Sequence, residues 1–423
     1  MPSMLGTTTR PGVSVGRVPE ADLDSRRAAF PLGAAVTVAE LSRNPHPILR
    51  HLRESEPVSW LPALGGWLIT RADLADAVLR DGRTFTVDDP RFTTARVVGP
   101  SMLSLDGEPH RRHRDPFVRA LRAAPTRERL ADAAAAHAAR LVAALAAQGS
   151  AAELRRGLAG QLAVAVMAEM LGLDVAPGQL LAWYDAIVAG VSSLSEAPAT
   201  AGPGETAAAT VPPAATAAFA ELSACVESAL RRGSEQSVLT AAASELAVGE
   251  IVSNAAVLLF GGIETTEGMI CNAIWYLLRD EVALAQVRAD RTLVAAAVEE
   301  GLRLEPAAAV VDRYATADVN VGGALVRRGD LVTVSLAGAN RDPAVFADPD
   351  RFDLHRPNGR QHLAFAIGPH FCIGAQLARL EATAALVALL DVMPALRLDP
   401  GQPSEPRGLV FRKPPSLHVR WDA

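Results

Sequence analysis

The segment 250–279 constrains this chain more than any other. It carries a helix-period apolar pattern of unusual length, interrupted by Gly261-Gly262. A helix that apolar must be covered by other elements. The chain can supply the cover, since 49% of its 423 residues are hydrophobic. The continuous apolar run inside it, 255–263, is too short for a bilayer crossing, which needs about 20 residues. The N-terminal ten residues lack the apolar core of a signal peptide. The expectation is a cytoplasmic protein with no membrane association.

Around this segment helices dominate. Periodicity and caps predict them over 45–56, 71–79, 110–123, 127–148, 152–173, 178–191, 214–232, 293–304, and from near Cys372 to near Val392, before Pro394. Strands are predicted around the Gly-Gly turn of 58–70 and within 319–334, with 409–411 and 417–420 as a closing hairpin. Residues 85–107 read as a long loop. The Ala/Pro/Thr/Gly stretch 196–213 reads as a loop or a lid. The fold class is mainly α with a small β portion. Residues 1–26 are read as a loose leader and 27–423 as one domain. Three distant cysteines, Cys225, Cys271 and Cys372, make no disulfide framework and fit a reducing compartment. A net charge of −6 argues against nucleic-acid binding. Lys413 is the only lysine among 41 Lys and Arg, a bias that fits a GC-rich bacterial genome.

Cys372 follows Phe365-Ala366-Ile367-Gly368-Pro369-His370-Phe371 and precedes Ile373-Gly374. A loop with two glycines and a proline delivers it to an apolar helix, where turn amides and the helix dipole favour a thiolate. One thiolate without a second Cys or His at cage spacing suits an axial ligand to heme iron; a buried free cysteine is the alternative. In 250–279, Glu264 and Thr265 follow Gly261-Gly262. An acid beside a hydroxyl in an apolar helix suggests a proton-delivery notch, with the glycines letting a flat group approach; a kinked helix with a satisfied polar pair is the alternative. Glu300 and Arg303 share a helix face, and Arg356 in the Pro-rich segment beyond them would clasp the pair. His110 and Arg114, at i and i+4, could hold a dianion or simply form a solvated basic face.

Taken together and in this order, these segments resemble the cytochrome P450 family over nearly the whole chain. Phe365, Gly368, Cys372 and Gly374 match its Phe-x-x-Gly-x-x-x-Cys-x-Gly heme signature. Glu300 and Arg303 match its Glu-x-x-Arg pair. Gly261, Gly262, Glu264 and Thr265 match its oxygen-activation motif.

The resemblance implies heme b, iron protoporphyrin IX, with Cys372 as the metal ligand and Phe365, Gly374 and Gly261 against the cofactor. His110, Arg114, Arg313 and His370 fall where the family holds the propionates. Glu264 and Thr265 would be catalytic, relaying protons to dioxygen. Partners would be a small-molecule substrate and a ferredoxin-type electron donor with its reductase, acting on a monomer. The donor would dock near Arg111, Arg112, Arg379 and His113. Ala366 stands where many bacterial members have glycine, so the turn is expected to avoid positive φ there. The pocket walls are expected to be aliphatic, with Thr86, Asp88, Asp89, Arg96 and Asn254 as polar contacts. Hydroxylation of a largely apolar molecule in secondary metabolism is the leading reading. Oxidative coupling on the same fold, or heme binding without catalysis, are the alternatives.

Overall fold

A computed structural model describes residues 20–196, 210–234 and 237–422. Most of the stretch expected as a loop or lid, 196–213, lies outside the described residues. Residues 20–26, expected to belong to a loose leader, are instead part of a helix that spans Glu20–Ala29, and its Arg26 is buried against Asp330 at 2.9 Å and lies 4.5 Å from the Trp60 ring. Those anchors are distant in sequence, so the local composition gives no sign of them.

The central helix runs unbroken over Val248–Arg279. It packs against Gly160–Leu171, Pro213–Arg232, Val294–Leu304 and Ala375–Val392. It is long and apolar enough to cross a membrane, but most of its residues are buried inside the protein. Gly262 permits one of these contacts. A Cβ there would sit 2.3 Å from Met167 Sδ on the neighbouring helix. The helix Ala375–Val392 lies along Ala124–Ala146.

The β portion is small and assembled from distant segments. The main sheet orders Val58–Leu61, Gly66–Ile69, Leu331–Ser335, Val310–Ala315 and Phe85–Thr86. Trp60 faces Trp67 across its first, antiparallel pair, and the second pair is parallel. The strand Val310–Ala315 carries Arg313 into the sheet beside Val332. The expected closing hairpin does not form. His418–Arg420 pairs instead with Ala151–Glu153 and Arg397–Leu398. Phe411 bridges to Ala308. Pairing partners so far apart in the chain leave no trace in local pattern. Two short helices, Thr93–Val98 and Glu281–Ala289, lie where no helix was expected; Asp280 caps the second, accepting from Ala283 N at 2.9 Å.

Candidate active site

Cys372 sits three residues before the helix Ala375–Val392. Its backbone N–H donates to the Phe365 carbonyl at 2.9 Å, closing the loop. Gly368 has φ +74°, and a Cβ there would lie 2.4 Å from the Leu79 carbonyl oxygen, so this position demands glycine. Gly374 differs: its Cβ would meet Cys372 Sγ at an ordinary 4.0 Å, and its contribution is an amide donated to the sulfur. Burial pushes the Cys372 thiol up, outweighing that amide and the charges of Arg114 and Arg379. The turn amide thus favours the thiolate as expected, while burial opposes it. A bound metal cation is what makes a coordinating thiol ionise. Ala366 departs from expectation. Its φ is +52°, so the turn keeps the left-handed backbone despite the added methyl.

A polar cluster lies beside this loop. Asp106 precedes the helix Gly107–Arg122 yet does not cap it. Its carboxylate accepts instead from Thr86 Oγ1 at 2.6 Å and Val87 N at 2.8 Å, and pairs with His370 Nε2 at 2.8 Å. Burial opposes this ionised carboxylate, but the His370 and Thr86 bonds hold it well below the usual range. The His110 and His370 rings are 4.3 Å apart. Burial, then the charges of His370 and Arg114, lower His110 to about 4. Its Nε2 is buried with no hydrogen-bond partner. Arg313 is buried, with Nη1 on its neighbour's carbonyl at 2.7 Å. Arg114 donates to the Phe371 carbonyl. A buried orphan ring nitrogen, the buried Arg313 and the half-buried Arg114 next to a cysteine loop form a donor set for two carboxylates, so the residues fit the heme that the resemblance implies.

The central helix, packed on the helix that follows Cys372, carries the second group of expected site residues. A Cβ on Gly261 would meet nothing within 4 Å. Of the glycine pair, Gly261 is thus the one that leaves room for a flat group, while Gly262 serves helix packing. Thr265 Oγ1 donates back to the Gly261 carbonyl at 2.5 Å. Glu264 is ion-paired with Lys413 at 2.7 Å, and Lys413 also reaches Glu267 at 2.9 Å. The Phe260 and Phe411 rings meet edge to face at 5.4 Å. Neither Lys413 nor Asp106 was singled out as functional by sequence reasoning. Signals existed: one lysine in an arginine-only chain, and an acid at a helix start.

Other expected contacts are spent elsewhere. Thr86 serves Asp106, Asp89 holds Arg91 at 2.8 Å, and Asn254 bonds Met102 N at 2.8 Å and His113 Nδ1 at 3.0 Å. On the docking face, Arg112 pairs with Glu250, Arg379 with Glu299 at 2.7 Å, and His113 is buried. Of the four, Arg111 and Arg112 are exposed. Glu300 accepts from Arg303 at 2.7 and 2.9 Å and from Arg356 at 3.1 Å. The two guanidiniums then hold carbonyls of Asn340, Ala347, Pro349 and Arg351.

The cytochrome P450 family profile matches residues 230–415. The mycinamicin IV hydroxylase/epoxidase of Micromonospora griseorubida is 36% identical over 392 residues, 88% of this chain and 94% of that protein. The cytochrome P450 monooxygenase PikC of Streptomyces venezuelae is 34% identical over 407 residues, 90% of this chain and 92% of that protein. The crystal structure of CalO2 superimposes with a TM-score of 0.80 at 29% identity, covering 91% of this chain and 97% of that one.

Proposed function

Because this chain belongs to the cytochrome P450 family and is a heme oxygenase of that fold, we propose that it hydroxylates a small, largely apolar molecule in secondary metabolism, with Cys372 as the iron ligand. The net change inserts one atom of dioxygen into a C–H bond and reduces the other to water, taking up two electrons and two protons. Bound heme supplies the oxygen activation, and thiolate donation favours O–O cleavage.

The chain's own residues hold, exclude and deliver. Cys372 would fix the iron, with the Gly374 amide and Arg114 stabilising its charge. His110, Arg114, Arg313 and His370 would hold the propionates, and Asp106 orients His370. Thr265 would hold a proton at Oγ1, and Glu264 would resupply it from the solvent side. The substrate space is apolar: Trp183, Tyr184, Leu222 and Leu259 line a crevice between three helices that ends at Phe260. Electrons would come from a ferredoxin-type protein on the Cys372 side, near exposed Arg111 and Phe371. The protein would act in the cytoplasm. Two relatives whose names specify substrates act on mycinamicin IV and nocardicin C, which supports secondary metabolism without fixing this substrate.

The observation that carries this reading is the cysteine loop next to the orphaned, buried His110 Nε2 and the buried Arg313, together with open space over Gly261 on the central helix. The test is the carbon monoxide spectrum of the reduced holoprotein. A thiolate-shifted Soret band that disappears in Cys372→Ala is expected. An unshifted band in the parent protein, or a shifted band surviving the substitution, ends the assignment. A visible-spectrum screen of small molecules then narrows the substrate.

A further inference from the structure

One face of the central helix meets the C-terminal segment 411–413 along four successive positions. Phe260, Glu264, Gly268 and Asn272 are spaced by four, so they stack on one side of the helix. Phe260 meets the Phe411 ring, and Glu264 meets Lys413 Nζ. A Cβ on Gly268 would already touch Ala307 Cβ at 3.0 Å and Lys413 Cβ at 3.5 Å. Asn272 Nδ2 donates to the Arg412 carbonyl at 2.9 Å. The segment itself is extended: Lys413 bridges Arg407, and Phe411 bridges Ala308. Residues two apart in extended chain point the same way, so Phe411 and Lys413 form adjacent rungs against Phe260 and Glu264. The upper rung borders the apolar crevice; the lower rung holds the acid of the oxygen motif.

The choice of lysine bears on this. Among the described residues Glu264 has Lys413 as its ion-pair partner, whereas Glu267 also has Arg155 at 2.8 Å. An arginine would grip a carboxylate with a planar fork. A lysine is a point charge on a flexible stem and can leave one of two carboxylates while keeping the other. Glu267, fully buried and held from two sides, is the one it keeps.

We infer that Lys413 is a positioning residue that parks Glu264, and that a molecule seated against Phe260 and Phe411 shifts the segment and releases the acid for proton delivery. This rests on the monooxygenase reading above. It adds a link between occupancy of the substrate space and the proton path.

The single lysine makes the link measurable. Protein grown with ¹⁵Nζ-lysine carries one side-chain ammonium signal, read in the diamagnetic ferrous carbon monoxide form. Glu264→Gln is expected to move that signal. An aromatic probe that does not ligate iron and needs no turnover, naphthalene added to the same carbon monoxide form, should move the parent signal toward the Glu264→Gln position. In Phe411→Ala the probe should bind but leave the signal still. In turnover, Lys413→Arg should lower product formation about three- to tenfold and enlarge the solvent isotope effect. Lys413→Met should raise substrate-free peroxide formation several-fold. A lysine signal indifferent to Glu264→Gln, or to the probe, overturns the inference. An intact carbon monoxide band in every variant keeps that outcome separate from failure of the heme-thiolate reading.

Discussion

The two sides of the site manage charge in opposite ways. Around Glu300 each charge has several partners. Arg303 is fully buried and spends its guanidinium on Glu300 and three carbonyls, and Arg356 adds a second cation and further carbonyls. Around Glu264 there is, among the described residues, one ion pair, to one lysine, with the side chain 11% exposed. Removing a partner from the first network strands fully buried charges that carry several bonds each; removing one from the second breaks a single ion pair. Over-determined charges fix a shape, and singly held charges are the ones free to move. The same contrast separates Gly368, which nothing else can replace, from Gly374, which contributes only an amide.

The comparison breaks first at Glu300. Glu300→Ala strands Arg303 and Arg356 and should cost roughly 3–5 kcal/mol. Heme content and the thermal midpoint report it, and near-normal values for both would mean the network is decorative. Thr265→Ala tests the mobile side. Product formation should fall about 100-fold, as for loss of a positioned proton-transfer group, with peroxide rising in its place. Stability should move by less than about 0.5 kcal/mol. A large loss of stability here would erase the distinction between the two sides.

The cluster of Asp106, His370 and His110 sharpens the comparison through pH. His110 sits at about 4 in the fold against an ordinary value of 6.5. Between these values the unfolded chain binds more protons than the folded one, so stability rises with pH across that window and falls on acidification through it. His110→Gln should flatten the slope of the heme-free protein by roughly 0.5–1 kcal/mol per pH unit, allowing for solvent screening. Urea midpoints at pH 4.5, 5.5 and 7 check this, and an unchanged slope would show that His110 is not the group responsible. The smallest effect is expected at Ala366. Glycine relieves the cost of φ +52°, a gain of about 1 kcal/mol. A thermal melt of Ala366→Gly with no upward shift would mean the turn relaxes around the methyl.

Much of this was legible beforehand because it depends on short-range pattern. The helix Val248–Arg279, the cysteine loop, the Glu300–Arg303 spacing and the back-bonded Thr265 are all set within a few residues. What stayed hidden depends on where distant segments meet. Arg112, Arg379 and His113 looked like a docking surface until Glu250, Glu299 and Asn254 were brought to them. Segment 409–411 looked like half of a hairpin, but its neighbour in space is Ala308.

By itself the sequence determined a mainly helical chain with one cysteine presented at a helix start and an acid and an alcohol on an apolar helix. Periodicity, glycine placement and capping are local, and local rules are readable one residue at a time. Only the tertiary structure decided that Asp106 orients His370, that Lys413 holds Glu264, and that Ala366 keeps a left-handed turn. Each of those depends on packing between segments far apart in the chain. The order of the residues marks Lys413 and Asp106 as unusual, but it does not name the partners that packing brings to them.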